Sequence, residues 1–308
     1  MPSGHLTPVV APDPGGKDHR QRLAGPRAPI LPPMTIRALT WNLYHGRDFP
    51  PDPALRTRAS RLFGRTERSA THEQVNRDLL PEFAGLLARA EWDVALLQEF
   101  PPRWATRLAG ACEADLHREL TSRNSLAPLR ALATLINPDL TGSNEGGSNL
   151  TLIRPAVLGA IAERRVLVLA PGPKPERRAM AFTRTEAGLC VANLHISTGP
   201  PNRPRAEDEL RLAAGRSLEW AAGGPLILGG DLNVRPRDSE IYGELNERFG
   251  LRSPTAADSL DHLLVHGLEP IEPPSPWPPE RREFARSDGL RVRLSDHAPV
   301  EATFELPG

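Results

Sequence analysis

The sequence predicts an α/β (α+β) fold in which two β-sheets pack face to face and helices cover their outer surfaces. Apolar runs that fit strands outnumber helical patterns, and both kinds are spread over the whole chain. Polar residues also collect at the ends of the apolar runs. The 308 residues, 39% hydrophobic and 25% charged, fit a soluble globular protein with one large domain or two small ones.

Residues 1–33 differ from the rest of the chain because they are rich in proline and glycine and have little to bury. They lack the basic and then apolar layout of a secretory signal. We expect a disordered tail or a misplaced start codon, with Met34 as the alternative start. The folded domain is then predicted over residues 34–308.

The first half of the chain alternates strand and helix patterns with loops. "TIRALTWNL" reads as a strand that ends at Asn42, and "DVALLQEF" reads as a short buried strand. Between them we predict an arginine-rich connection over residues 51–69 and a helix in "THEQVNRDLLPEFAGLLARA", around an internal Pro81. A further helix is expected near residues 103–111, and residues 113–146 read as loop.

The second half begins with a series of strands typical of an antiparallel meander: "SNLTLIR", "RRVLVLA", "RAMAFTR" and "GLCVANLHIS". "RAEDELRLAAGRSLEWAA" and "RDSEIYGELNERF" predict helices on either side of a strand in "PLILGG". "LDHLLVHG" and "RVRLSDHAPVEATFEL" predict the last strands, separated by a proline-rich loop. Inside these patterns we expect Trp41 and Trp92 to be core residues and Cys190 to be inert packing.

Composition excludes several classes of protein. The 38 basic and 38 acidic residues cancel, so net charge points to no polyanionic partner. Two cysteines are too few for a disulfide framework or a zinc site, which fits a cytoplasmic protein with reduced thiols. No run of about 18 apolar residues is present, so no membrane span is expected. We expect a monomer.

The polar residues at strand ends predict an active site, because sites are usually built on loops at one end of a rigid scaffold. They are Asn42, Glu99, His195, Asp231, Asn233, Asp261, Asp296 and His297. Carboxylate and amide oxygens without cysteine suit a hard cation such as Mg²⁺ or Mn²⁺. Glu99 is the principal candidate ligand, supplemented by Asp296 and the side-chain oxygen of Asn42.

The two histidines among these residues have carboxylates available to support them as acid–base groups. Asp261 and Asp296 can each fix the tautomer of His195 or His297 and stabilise its charged form. A divalent cation, acid–base histidines and amide donors together match the hydrolysis of a phosphate ester by a positioned water.

Six motifs in order, "TWNLYHG", "LLQE", "NLHIS", "GGDLN", "LDHLLV" and "SDHAPV", give the sequence its resemblance to the endonuclease/exonuclease/phosphatase superfamily. That superfamily includes pancreatic-type deoxyribonucleases, abasic-site endonucleases, sphingomyelinases and inositol polyphosphate phosphatases. The resemblance extends over residues 35–306. It implies a four-layered α/β sandwich with two central, mostly antiparallel sheets and an active site at one edge.

The resemblance also implies a role for each matching residue. Glu99 corresponds to the principal Mg²⁺ ligand, Asn42 to a residue that supports the metal or the phosphate, and Asp296 to an acid near the metal. His195 corresponds to a histidine that protonates the leaving group or steadies the phosphate. His297 corresponds to the histidine that contacts the scissile phosphate, and Asp261 to its acidic partner.

The motif "GGDLN" is expected to bind the attacking water and the phosphate at the same time. Asp231 resembles the carboxylate that orients or deprotonates the attacking water, and Asn233 resembles the amide that holds a phosphate oxygen. We expect the two glycines before them to let the chain turn. Family members often place a Tyr or an Arg on the strand before the histidine strand; here Arg177 and Arg178 are available, and we favour Arg178 for binding phosphate.

Two arginine-rich segments are expected near the catalytic edge. They contain Arg56, Arg58, Arg61, Arg65 and Arg68 in the first segment, and Arg281, Arg282, Arg286, Arg291 and Arg293 in the second. Such charge suits a nucleic-acid backbone, although solvated basic loops are an equally simple interpretation. A nuclease acting on DNA or RNA is therefore the first expectation. The alternatives are a phosphatase or phosphodiesterase acting on a small or lipid-like phosphate, and a non-catalytic binding module on the same fold.

Overall fold

The computed structural model describes residues 34–121, 127–138, 147–170, 177–252 and 254–306. The predicted tail over residues 1–33 lies outside this part of the chain. In chain order, the α-helices of the described residues are α1 (Arg58–Phe63), α2 (Leu80–Arg89), α3 (Ala105–Ala111), α4 (Ala127–Ile136), α5 (Pro155–Leu158), α6 (Arg203–Ala221) and α7 (Ile241–Phe249). None of them combines the length and the apolar character needed to cross a membrane.

The first large sheet has six strands in the spatial order β12-β15-β1-β4-β6-β5. These strands are β1 (Met34–Asn42), β4 (Val94–Gln98), β5 (Asp115–Leu120), β6 (Ser148–Ile153), β12 (Glu269–Pro276) and β15 (Val300–Leu306). β1 and β4 are parallel, and the other neighbours are antiparallel.

The second large sheet has five strands in the order β11-β10-β9-β8-β7. These strands are β7 (Ile161–Ala170), β8 (Arg178–Thr185), β9 (Cys190–His195), β10 (Leu226–Asp231) and β11 (Asp261–His266). Only β9 and β10 are parallel in this sheet. Two small ribbons accompany the sheets: β2 (Glu67–Arg68) with β3 (Glu73–Gln74), and β13 (Glu283–Ala285) with β14 (Arg291–Arg293).

Three buried apolar clusters define four layers. Side chains alternate across β1, so Leu39 and Trp41 pack with α2 and α3 on the outer face, whereas Ile36 and Ala38 point between the sheets. The cluster between the sheets also contains residues of β4, β10 and β11, and a third cluster joins β9 and β10 to α6 and α7. The expected four-layered sandwich with two mostly antiparallel sheets is confirmed.

Several predicted elements need correction. The region 113–146, predicted to be loop, contains β5 and α4 within its described residues. The arginine-rich connection contains the short helix α1, and the proline-rich loop contains β12. β12 lies at the edge of its sheet, where prolines are tolerated because one side of the strand needs no hydrogen bonds. Helix α2 begins at Leu80, so Pro81 lies in its first turn and is not internal.

The two glycines of "GGDLN" do not form a turn, which corrects the expectation from the sequence. Gly229 and Gly230 lie inside β10 and are buried. A Cβ atom on Gly230 would lie 1.9 Å from the carbonyl oxygen of Leu194, and its φ of +137° also disfavours other residues. A Cβ on Gly229 would lie 2.6 Å from the carbonyl oxygen of His262. The glycines are therefore needed because neighbouring backbone approaches β10 closely.

Candidate active site

Strand register brings the candidate site residues to one edge of the two sheets. β1 and β4 run parallel and end together, at Asn42 and just before Glu99. In the other sheet, the parallel pair β9–β10 aligns His195 with Asp231, and the antiparallel β11 aligns Asp231 with Asp261. The polar residues that follow or end these strands therefore meet at one place.

Asp231 is the buried centre of this arrangement. Its Oδ2 accepts a hydrogen bond from Nδ2 of Asn42 at 2.9 Å, and its Oδ1 accepts one from the backbone N–H of Asn233 at 3.2 Å. Burial, helped by the charge of Asp261, raises the pKa of Asp231 to about 6, although His297 and both hydrogen bonds act in the opposite direction. The carboxylate is thus held in one orientation, with a pKa close to neutrality.

Two amides hold the loops on either side of Asp231. The side-chain oxygen of Asn42 accepts a hydrogen bond from the Tyr44 N–H at 2.9 Å, while its nitrogen serves Asp231. Nδ2 of Asn233 donates to the carbonyl of Ile196 at 3.1 Å. The structure therefore shows Asn42 orienting Asp231, and the expected roles of both amides toward metal or phosphate stay predictions.

His297 lies opposite Asp231 and is paired with Asp261. Its Nδ1 is 2.7 Å from Oδ2 of Asp261, and its Nε2 is 3.9 Å from Oδ2 of Asp231. Burial opposes the charged imidazolium, but the two carboxylates outweigh burial and raise the pKa of His297 well above its ordinary value. His297 is therefore positively charged at neutral pH.

The backbone around His297 is fixed by side chains from distant parts of the chain. Its carbonyl oxygen accepts hydrogen bonds from Nε1 of Trp41 at 3.0 Å and from Arg282 at 3.1 Å. Its N–H donates to Oγ of Ser295 at 3.1 Å, and that hydroxyl donates to the carbonyl of Asn42 at 2.6 Å. These contacts tie the loop before β15 to the end of β1.

His195 is neutral in this environment. Its Nε2 lies 3.5 Å from Oδ2 of Asp231 and 4.0 Å from Oε1 of Glu99. Burial, followed by the charges of Arg178 and His297, lowers its pKa well below the ordinary value. A neutral His195 can donate one hydrogen bond to a phosphate oxygen, and its expected role toward the leaving group or the phosphate stays a prediction.

The two neighbouring arginines at the start of β8 have different surroundings. Arg178 lies close enough to His195 to affect its protonation. Arg177 is instead bound to the carboxylate of Glu119 and to the carbonyl of Leu120. Arg178 therefore lies near His195, and its expected role in binding phosphate stays a prediction, whereas Arg177 binds residues of β5.

Glu99 and His45 form a second polar pair at this edge. Nε2 of His45 lies 3.2 Å from Oε2 of Glu99. Burial lowers the pKa of His45, although the charge of Glu99 acts in the opposite direction, so the imidazole is neutral. His45 has no role among the residues predicted from the sequence, although it lies three positions after Asn42 within a motif that carries the resemblance.

One cluster of donors among the described residues can bind a divalent cation once His297 has given up its extra proton. Asp231, Asp261 and His297 each offer one ligand atom, and these atoms lie within 4.8 Å of one another. Carboxylate oxygens beside an imidazole suit several divalent ions. Within the described residues, this cluster does not include Glu99.

The other two residues predicted as ligands also lie outside that cluster. Asp296 is exposed, and the contribution visible in the structure is electrostatic, because its charge helps to raise the pKa of the adjacent His297. Asn42 is occupied by Tyr44 and Asp231. The expectation that Glu99, Asn42 and Asp296 bind the cation together stays a prediction.

Backbone conformation singles out the same edge. Seven described residues other than glycine have a positive φ, and five of them lie in the loops at this edge. They are Tyr44, His45, Glu99, Asn233 and Ser295. A left-handed conformation costs energy for residues other than glycine, so its concentration here is typical of a functional site that is held in place by the rest of the fold.

The two arginine-rich segments differ in how their charge is used. In the second segment, Arg281, Arg286, Arg291 and Arg293 pair with glutamates, and Arg282 is buried and donates to backbone carbonyls. In the first segment, Arg58 and Arg65 are exposed, and no carboxylate partner is found for them among the described residues. Only the first segment therefore keeps free positive charge for an anionic ligand.

The sequence matches the model of the Endonuclease/Exonuclease/phosphatase family over residues 39–297. The chain belongs to this family. The matched range spans all nine candidate site residues, Arg178 included, and the match confirms the resemblance found from the six motifs. The family consists of metal-dependent hydrolases of phosphoesters, so the protein is a member of a hydrolase family that uses divalent metal.

Solved structures show the same fold at low sequence identity. A family protein from Beutenbergia cavernae is 16% identical, with a TM-score of 0.61 over 89% of this chain and 72% of that one. TDP2 from Caenorhabditis elegans is 15% identical, with a TM-score of 0.53 over 88% and 74%. A mannosyl-6-phosphatase from Bacteroides thetaiotaomicron is 14% identical, with a TM-score of 0.55 over 87% and 99%. A comparison with the curated proteins gives no match.

Proposed function

We propose that this protein hydrolyses phosphodiester bonds with the help of a divalent cation, Mg²⁺ or Mn²⁺, and that its substrate is nucleic acid. The observation that carries the proposal is the position of Asp231. Its carboxylate is fixed by Asn42 and Asn233 and faces a neutral His195 at 3.5 Å and a charged His297 at 3.9 Å. A base for water and donors for phosphate thus converge on one small volume.

In this proposal Asp231 orients and deprotonates the attacking water. Its pKa of about 6 leaves it mostly ionised at neutral pH, yet basic enough to accept a proton. Its two hydrogen bonds, from Asn42 and Asn233, stop the carboxylate from rotating away from the water. Burial, which raises this pKa, thus makes Asp231 a stronger base.

The phosphate is held by donors that surround Asp231. His297 presents a charged Nε2–H, which Asp261 supports from behind through Nδ1. His195 presents a neutral imidazole, and Arg178 adds positive charge beside it. Together these groups stabilise the negative charge that grows on the phosphate oxygens during attack.

Glu99 is the proposed main ligand of the cation, with Asn42 and Asp296 as predicted supplements. When bound, the cation supplies positive charge for the phosphate and the leaving oxygen. Glu99 lies at the same edge as Asp231. Nε2 of His195 is 4.0 Å from a carboxylate oxygen of Glu99 and 3.5 Å from one of Asp231, so the cation and the water can act on one phosphate.

Nucleic acid is the first substrate class because α1 presents free positive charge. Arg58 and Arg65 are exposed near the two ends of this helix, which follows the loop that starts at Asn42. Arginines of this kind bind backbone phosphates without reading sequence.

A phosphomonoester of a small molecule is the second candidate. The glutamates that neutralise the second arginine segment leave a smaller basic surface than the sequence suggests. One structural neighbour is named a mannosyl-6-phosphatase, an enzyme that acts on such an ester. The fold is therefore compatible with this activity.

The test is hydrolysis by the purified full chain of three substrates: supercoiled plasmid, bis-p-nitrophenyl phosphate and p-nitrophenyl phosphate. Each is incubated with Mg²⁺, with Mn²⁺ and with EDTA, and Asp231→Asn is the matched control. We expect cation-dependent nicking of the plasmid and hydrolysis of the diester, both lost in the variant. Plasmid nicking by an Arg58→Ser/Arg65→Ser double variant should be weaker at low salt, whereas its hydrolysis of the small diester should be unchanged.

Hydrolysis of p-nitrophenyl phosphate alone would replace the nuclease proposal with the phosphatase. Activity that survives in Asp231→Asn would refute the role given to Asp231. Absence of hydrolysis of all three substrates, combined with normal cation binding, would favour the non-catalytic binding module.

A further inference from the structure

His45 occupies a position that the proposed mechanism leaves without a function. Its side chain is only 16% exposed, and its Nδ1 is buried without a hydrogen-bond partner among the described residues. Nε2 is its remaining polar atom and lies 3.2 Å from Oε2 of Glu99. Nε2 is therefore the ring atom that can bind a ligand in the site.

The backbone places His45 firmly against Glu99. His45 lies in the turn Tyr44–Gly46 with φ 54° and ψ 29°, and its N–H donates to the carbonyl of Glu99 at 3.1 Å. Gly46 must be glycine, because a Cβ atom there would lie 2.2 Å from the Trp104 ring. Since Glu99 also has a left-handed φ of 45°, both residues are held in costly conformations that bring their side chains together.

A second histidine–glutamate pair in the molecule shows what is special about the first. Nε2 of His72 is also 3.2 Å from a glutamate oxygen, that of Glu283, and there the two atoms are hydrogen-bonded. Arg293 binds the same carboxylate at 2.7 Å, so its charge is already neutralised. Between His45 and Glu99 the structure shows proximity without such a hydrogen bond, and no arginine neutralises Glu99 within the described residues.

The separation in the first pair matches that of two neighbouring ligands of one cation. With ligand bonds of about 2.1 Å at right angles, adjacent ligand atoms lie about 3 Å apart. We propose that Nε2 of His45 and the carboxylate of Glu99 bind the same divalent cation. The inference rests on the proposed function only in placing a cation at Glu99.

An imidazole ligand changes which cation the site prefers. Mg²⁺ is bound by oxygen ligands and water, whereas imidazole nitrogen suits first-row transition metals. A site that combines His45 with Glu99 therefore selects Mn²⁺ or Co²⁺ over Mg²⁺. A site built only of Glu99, Asn42 and Asp296 would not have this preference for Mn²⁺ or Co²⁺, because all its ligand atoms would be oxygens.

The experiment measures cation binding without substrate, so that its result is independent of hydrolysis. The full chain is stripped with EDTA and titrated with Co²⁺, Mn²⁺ and Mg²⁺ by calorimetry, and the visible absorption of bound Co²⁺ is recorded. His45→Asn removes the imidazole and keeps a residue that tolerates the left-handed conformation. His72→Asn is the matched control, because it removes an imidazole at the same distance from a glutamate.

We expect His45→Asn to weaken Co²⁺ and Mn²⁺ binding by about 10- to 100-fold and Mg²⁺ binding by less than about 3-fold. The Co²⁺ absorption should change in this variant and stay unchanged in His72→Asn. His45→Asp should shift the preference toward Mg²⁺, because it replaces the nitrogen ligand with oxygen.

Equal weakening of all three cations by His45→Asn would show a structural role and overturn the proposal, as would unchanged Co²⁺ binding. Circular dichroism verifies that each variant folds, and His45→Gln replaces His45→Asn if the latter does not. A wild-type chain that binds Co²⁺ through His45 but hydrolyses no phosphoester would refute the proposed function and leave this inference intact.

Discussion

Two regions of the molecule bury polar side chains, and they do so in opposite ways. Between the sheets, Nε2 of Gln98 lies 2.9 Å from Oδ1 of Asn193, 3.0 Å from the Leu96 carbonyl and 3.2 Å from Oγ1 of Thr40, and these acceptors share its two hydrogens. All four residues lie in regular strands. One residue further along the chain, Glu99 has a left-handed backbone and belongs to the site edge.

The comparison teaches that buried polarity alone does not indicate function. The neutral groups between the sheets satisfy one another and connect the two layers. At the edge, by contrast, charged groups have shifted pKa values and five residues have costly backbone conformations. The first region should therefore respond to mutation in stability and the second in activity.

The largest effect is expected for Asp231→Asn. The amide cannot accept a proton from water, so kcat/KM should fall by about 10³-fold or more, which corresponds to about 4 kcal/mol. Stability should not decrease, because burial already disfavours the charged carboxylate. Kinetics on bis-p-nitrophenyl phosphate and thermal unfolding measure the two effects, and a large loss of stability would contradict the comparison.

The opposite response is expected for Gln98→Leu. This change leaves Oδ1 of Asn193 buried without its donor, which should cost about 2–3 kcal/mol of unfolding free energy. Activity at a temperature where the variant stays folded should change by less than about 3-fold. Urea unfolding and kinetics on the same preparation provide the measurement, and a selective loss of kcat would show that the two regions are not separate.

A smaller effect involves pH. His117 is buried beside Thr183, with Nδ1 3.0 Å from its hydroxyl, and burial together with the charge of Arg164 lowers its pKa to about 4. Because the unfolded chain takes up this proton near pH 6.5 and the folded one does not, stability is lost as pH falls from 6.5 toward 4.

At pH 5 the loss from this group is about 2 kcal/mol relative to pH 7. Urea unfolding at the two pH values should show a smaller difference for His117→Asn than for the wild type. Equal differences in the two proteins would mean that the histidine takes up its proton in the folded state.

Much of the site was predictable because its residues follow strands whose apolar patterns are strong. Asn42 and Glu99 end or directly follow β1 and β4, which pair in parallel, and Asp231 ends β10, which pairs in parallel with the strand that ends at His195. The Asp261–His297 pair joins residues 36 positions apart, and only the order of the family motifs indicated it. Fold class and family were likewise predictable, because six ordered motifs extend over the domain.

Other features could not be predicted because tertiary contacts decide them. β12 contains prolines that disfavour a central strand, and only its position at a sheet edge permits it. Gly229 and Gly230 are typical of turns in sequence, yet the neighbouring strands determine their role. His45 had no sequence signal of its own, since its significance depends on a left-handed turn and on contact with Glu99.

The position of β15 between β1 and β12 has a consequence for the order of synthesis. The ribosome makes β15 long after β1, so the six-stranded sheet cannot be completed before residues 300–306 have been made. His297 precedes β15 by three residues and arrives with it. A nascent chain therefore contains Glu99, His195 and Asp231 well before His297 can join them, and this group of residues is complete only once β15 has been made.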